Sequence, residues 1–193
     1  TYGTGELIAD ALERGCRKFL IGIGGSATND AGMGMLAALG YRFLDHDGAL
    51  LEGKGESLSQ VCSIDDSSVL PEVKKSEFII ACDVDSPFFG PQGAASVYGP
   101  QKGATPEMVE ALDKGMRHFA EIINGKYGMD VSDMPGAGAA GGLCGAFAAF
   151  LNATLRRGAD MVLDAIGFDE LIRGADLVIT GEGRIDSQTQ TGK

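Results

Sequence analysis

KFLIGIGGSATND, residues 18–30, decides the fold class. KFLIGI is short, apolar and β-prone, which reads as a buried strand. GGSATND follows as a polar, glycine-bearing loop. Residues 31–39 then read as a small-residue helix stopped by Gly40. Before the strand, residues 4–15 read as a helix with Leu7, Ile8, Ala11 and Leu12 on one face. Helix, strand, polar loop and helix in succession are the grammar of an α/β protein.

The same alternation continues outward. A strand is predicted over residues 41–44, with a hairpin turn at Asp45-His46-Asp47-Gly48. A short strand or helix is expected near residues 58–64. EFIIAC, residues 77–82, is a second strand ending on Asp83-Val84-Asp85. Residues 87–103 read as loop, with a strand at 95–98. Thr105 is a good N-cap, Pro106 suits the first helical position, and Glu107 complements the helix dipole. Val109, Leu112, Met116, Phe119 and Ile123 then recur at spacings of 3 and 4, one core-facing stripe of a helix closing near Gly125. PGAGAAGG, residues 135–142, opens a helix over 143–157 with Phe147, Phe150, Leu151 and Leu155 as its core. Two shorter elements, 160–166 and 168–172, precede ADLVITGEGRIDSQTQTGK, residues 175–193. That last stretch reads as a strand over 176–180 delivering another glycine loop to a sheet edge. It stops in mid-motif, as if cut.

Composition bounds the partners. The 193 residues suit one domain, and 44% hydrophobic content supplies its core. A net charge of −11 and the lack of any Lys/Arg-rich run argue against a nucleic acid or an anionic membrane as partner. No apolar run approaches the roughly 20 residues that span a bilayer, and no signal peptide opens the chain, so a cytoplasmic location is expected. Cys16, Cys62, Cys82 and Cys144 are scattered without metal spacing and read as reduced packing thiols. His46 and His118 read as surface residues. Thirty glycines are the outlier, since about 7% is average.

The glycines gather in four polar loops, at residues 24–30, 83–103, 136–142 and 181–193. In an open α/β sheet, ligands sit where such loops meet at strand C-terminal ends. The run from Gly22 to Ala27 also fits a GxGxxA dinucleotide fingerprint with Asp45 at ribose distance in sequence. An oxidoreductase domain is therefore the rival reading. Gly136, Gly138 and Gly141 fit GxGxxG without a preceding strand and read as an anion cradle at a helix N-terminus. Walker A, GxSxG and HExxH motifs are absent. Asp30, Asp83, Asp85, Glu182 and Asp186 are carboxylates at expected strand ends, and Lys102, Arg184 and Lys193 supply positive charge. Phosphorylation of a hydroxyl needs these types: an orienting carboxylate, oxygen ligands for Mg²⁺, and cations or N–H donors on the phosphoryl group.

GSATNDAGMGMLAALG (residues 25–40), DVDSPFFGPQGAASVYGPQKGATPEMVEALD (83–113), PGAGAAGGL (135–143) and DLVITGEGRIDSQTQTGK (176–193) closely resemble the bacterial glycerate kinase family, of the type that includes the glycerate 2-kinases. The resemblance runs in order over nearly the whole chain. It implies transfer of phosphate from ATP, with Mg²⁺, to D-glycerate, giving 2-phosphoglycerate. It also implies two α/β domains, one flavodoxin-like and built from both chain ends, the other inserted and restriction-endonuclease-like. The present 193 residues then look like the inserted domain alone, expected to be inactive by itself. Matching motifs carry Ser26, Asn29, Asp30, Asp83, Asp85, Gln101, Lys102, Glu182, Arg184, Asp186, Gln188 and Lys193. On that footing Asp30, Asp83 and Lys102 are expected to be catalytic, and Asp85 and Asp186 metal ligands. Ser26, Asn29, Gly136, Gly138, Gly141, Glu182, Arg184, Gln188 and Lys193 are expected to bind substrate and phosphates. Ser86 departs from the commoner Asp-Val-Asp-Asn-Pro form, with no loss expected.

Overall fold

The computed structural model describes residues 1–179 and 181. Its centre is a parallel sheet of three strands in the order β1 (Lys18–Gly22), β4 (Glu77–Ala81), β5 (Thr154–Arg156). The register pairs Lys18 with Glu77 and Gly22 with Ala81, then Ile79 with Thr154 and Ala81 with Arg156. All three strands therefore end on one edge, and the loops after them start there. A separate antiparallel pair, β2 (Arg42–Leu44) with β3 (Ser63–Asp65), flanks the core. The turn between Asp45 and Ala49 closes as expected, with Gly48 at φ 78° and the Asp45 carboxylate accepting from the amides of Asp47 and Ala49.

Helices α1 (Tyr2–Glu13) and α2 (Met33–Ala38) pack together before β2. Gly5 permits their approach, because a Cβ there would press on Met35 and Ala38. α3 (Ala94–Tyr98) and a 3₁₀ turn at Pro100–Lys102 precede α4 (Pro106–Tyr127). α4 starts as its sequence dictates: the Thr105 hydroxyl accepts from the Met108 amide at 3.3 Å. Met116, Phe119 and Ile123 of its stripe are fully buried, while Val109 and Leu112 are partly so. It runs past Gly125 and is capped by Gly128 at φ 67°. α5 (Leu143–Leu151) is apolar on nearly every side and forms the middle of the core. Phe147 of α5 meets Phe78 of β4, which stacks on Phe19 of β1 at 4.8 Å. Phe43, Phe119, Phe150, Tyr41 and Tyr127 extend this aromatic core toward the β2–β3 pair.

Several expectations are corrected. Residues 95–98 lie in a helix, α3, where a strand was expected. The helix over 143–157 ends early: Asn152 takes the left-handed conformation at φ 50°, and Leu155 belongs to β5. Asparagine tolerates that conformation and so stops the helix as glycine would. β1 is an edge strand with one bare face, not a buried one, and Leu20 is 64% exposed. α6 (Gly158–Ile166) and α7 (Phe168–Leu171) bury none of their residues. Residues 176–179 form no strand; Leu177 and Ile179 are exposed, because no neighbouring strand among the described residues pairs with them. Of the cysteines, Cys144 is buried in the core and the half-buried Cys82 packs against it, whereas Cys16 and Cys62 are exposed. His118 is half-buried too, its Nε2 lying 2.7 Å from the Val61 carbonyl.

Candidate functional site

The loops that leave β1 and β4 converge with the 3₁₀ turn at Pro100–Lys102. Between them lies a cavity of about 300 Å³ lined by Gly24, Gly25, Ser26, Asp83, Gln101 and Lys102. Ala139 and Ala140 form its far wall. It sits at the C-terminal ends of parallel strands, the position that open α/β sheets use for ligands. A second cavity of about 690 Å³ adjoins it, lined by Thr28, Asn29, Asp30, Lys54, Glu56, Met108 and Leu112. Lys102 lines both.

Lys102 is placed by local turn chemistry. Pro100 starts its 3₁₀ turn and Gly103, at φ 92°, ends it. Its Nζ donates to the Thr28 carbonyl at 2.6 Å and to the Ser26 hydroxyl at 3.1 Å. Among the described residues it has no carboxylate at ion-pair distance. Burial pulls its pKa below the usual lysine value, and the charge of Asp30 partly offsets this.

Asp30 is only 5% exposed and its carboxylate is fully engaged. Oδ1 accepts from the Gly32 amide and the Thr28 hydroxyl, both at 3.0 Å. Oδ2 accepts from the Thr1 hydroxyl at 2.6 Å and the Gly34 amide at 3.3 Å. These bonds tie the loop to α2 through the Gly32 and Gly34 amides.

Asp83 differs. It is exposed, it lines the smaller cavity, and among the described residues a single bond, from the Gly158 amide to Oδ1 at 2.8 Å, orients it. Asp85 is likewise exposed. Asn29 sits deeper, with its Nδ2 3.7 Å from the Met116 sulfur and its Oδ1 buried without a partner among the described residues. Next to Asp83, the neighbouring Cys144 thiol draws the Cys82 thiol down to about 7. Cys82 and burial push Cys144 up.

Two glycine loops that look alike in sequence differ in burial. In residues 136–142 every residue is buried. A Cβ at Gly136 would press on the Cys82 sulfur and the Val84 carbonyl, one at Gly138 would collide with the Pro87 carbonyl, and one at Gly141 with that of Thr28. The first amides of α5, those of Leu143, Cys144, Gly145 and Ala146, already bond the carbonyls of Ala140, Ala139, Ala137 and Gly142. Gly136, Gly138 and Gly141 thus pack the loop closely against its neighbours; the Gly138 amide donates to the Ser86 carbonyl, while those of Gly136, Ala140 and Gly141 donate no hydrogen bond among the described residues. At Gly24 and Gly25 the space where a Cβ would stand is open. The amides of Gly24, Gly25, Ser26 and Ala27 donate no hydrogen bond among the described residues. The expected site residues did not include these backbone amides, though GGS directly after a strand was the signal.

The dinucleotide alternative loses its geometry here. Residues 22–27 do not open a helix, since α2 begins only at Met33, and Asp45 caps its own hairpin turn. Glu182, Arg184, Asp186, Gln188 and Lys193 lie outside the described residues.

Known proteins match this geometry along its length. The chain is 51% identical over all 193 residues to a glycerate kinase of Bacillus subtilis (strain 168), of which it covers 50%. It is 49% identical to a glycerate 2-kinase of Escherichia coli (strain K12), over 99% of this chain and 50% of that one. A crystal structure from Salmonella typhimurium LT2, described as a candidate glycerate kinase 2, superposes with a TM-score of 0.89 at 49% identity, over 97% of this chain and 50% of its own. The chain thus spans about half the length of the curated relatives it matches. The family model for the glycerate kinase family matches residues 1–193, and the chain belongs to that family.

Proposed function

We propose that this chain carries the phosphoryl-transfer half-site of an enzyme that phosphorylates D-glycerate to 2-phosphoglycerate with ATP. One observation carries the assignment to the smaller cavity. An exposed, singly oriented carboxylate, Asp83, and a half-buried lysine without a carboxylate partner among the described residues, Lys102, line the same space at the strand ends. Asp83 accepts the proton of the glycerate 2-hydroxyl as that oxygen bonds the γ-phosphorus. The bond from γ-phosphorus to the bridging oxygen breaks, and its electrons leave on ADP. Lys102 neutralises charge on the transferring group.

Mg²⁺ is commonly held by one or two carboxylates together with nucleotide phosphates, and the exposed Asp85 suits that donor set. Asp186 is assigned as its companion. When bound, the ion neutralises phosphate charge. Glu182, Arg184, Gln188 and Lys193 are assigned to substrate and phosphate binding from the family motifs. We further infer that these 193 residues are the inserted, restriction-endonuclease-like domain of a two-domain enzyme. The half-length match to relatives and the bare face of the sheet at Leu20 support this.

Phosphorus NMR on the full-length protein with ATP, Mg²⁺ and D-glycerate tests the proposal. A 2-phosphoglycerate resonance is expected, and its absence refutes the activity. Asp83→Asn in that protein is expected to lower kcat about 100-fold or more, as loss of a general base does. Near-normal turnover removes Asp83 from the mechanism.

A further inference from the structure

The two cavities that meet at Lys102 differ in size and in wall. The smaller, about 300 Å³, is polar at Ser26, Asp83 and Gln101 and suits a three-carbon hydroxy acid. The larger, about 690 Å³, has an apolar side made by Met108, Ala111 and Leu112. These three lie at spacings of 3 and 4 near the start of α4 and so share one face of it. Space of that size with an apolar wall and a few polar groups is what a nucleoside-sized ligand requires.

The loop at residues 24–28 runs between the two. Ala27 and Thr28 line the larger cavity, and Gly24, Gly25 and Ser26 the smaller. Its four amides from Gly24 to Ala27 are unpaired among the described residues, and Gly25 holds φ 68°, a conformation that lets successive N–H groups turn toward one anion. Lys102 stands at the junction, fixed by Ser26 and Thr28.

We propose that the larger cavity takes the nucleoside of ATP, that the phosphate chain runs along the amides of residues 24–27 past Lys102, and that the organic acid sits beside Asp83 in the smaller cavity. This placement rests on the kinase reading above. It puts the γ-phosphoryl group at the junction, between its donor and its acceptor. The desolvated Lys102 amine, whose pKa burial lowers, gains from a phosphate the counter-charge it lacks among the described residues.

Calorimetric titration of the full-length protein with ADP and, separately, with D-glycerate tests the placement. Met108→Glu and Ala111→Glu change exposed positions of the larger cavity and leave the core intact. Each is expected to weaken ADP about tenfold or more, about 1.4 kcal/mol, with D-glycerate held within about twofold. D-glycerate weakened with ADP unchanged, both weakened together, or neither affected overturns it. A wild-type protein that makes no phosphoglycerate while the ADP effect persists sinks the kinase reading and leaves the nucleotide placement standing.

Discussion

Lys102 is a cation held in a half-buried site by a carbonyl and a hydroxyl, with no carboxylate at ion-pair distance among the described residues. Its lowered pKa has two consequences of fixed sign. Phosphate binding needs the protonated amine, so kcat/KM for ATP should fall on the alkaline side at a pH below the usual lysine value of about 10.4. For stability, the unfolded chain binds the Lys102 proton more tightly than the folded one. Its contribution therefore rises with pH between the lowered folded pKa and the ordinary unfolded one. Denaturant melts across that alkaline window should show Lys102→Met losing this rise. An unchanged slope would mean that the amine is not desolvated. Asp30 shows the complementary case, in which a carboxylate that looks catalytic in sequence is enclosed by donors in the fold.

At the scale of elements, the two glycine loops should separate cleanly under substitution. Gly141 combines φ 69° with a Cβ position inside the Thr28 carbonyl, and Thr28 is the residue that seats Lys102. Gly141→Ala is expected to cost about 3 kcal/mol or more, since strain and collision add. Gly25 has the left-handed φ but open space, so Gly25→Ala is expected to cost only about 1–2 kcal/mol while weakening ADP. Urea melts of both variants check this, and equal losses would refute the division of roles. In sequence, both loops read as glycine after or before an element. What a side chain at Gly136, Gly138 or Gly141 would strike first is set by Cys82, Pro87 and Thr28, each more than fifty positions away in sequence. By contrast the start of α4 was fully legible, because Thr105, Pro106 and Glu107 act on the backbone beside them.

At the scale of the molecule, the parallel sheet is covered well on one face, by α5, and thinly on the other. Parallel sheets are usually buried on both faces. If these residues are one domain of a protein about twice as long, Leu20 faces the remainder. Leu20→Asp should then shift the stability of the 193-residue chain by no more than about 0.5 kcal/mol, as an exposed change does, and that of the full-length protein by about 1–3 kcal/mol. Equal effects in the two proteins would place the second domain elsewhere.

Local physics decided what short stretches could decide alone. The apolar runs of β1 and β4, the capped start of α4 and the Asp-Gly turn at 47–48 follow from residues within a few positions of each other. So does family membership, which long motifs carry in order. Tertiary structure alone decided that residues 154–156 complete the sheet, since three residues carry no periodicity until β4 is beside them. It alone decided that Asp30 is enclosed by donors while Asp83 is exposed, and that a Cβ meets open space at Gly24 and Gly25 but packed neighbours at Gly136, Gly138 and Gly141. Whether a polar group is available depends on which donors and walls reach it, and those come from distant parts of the chain.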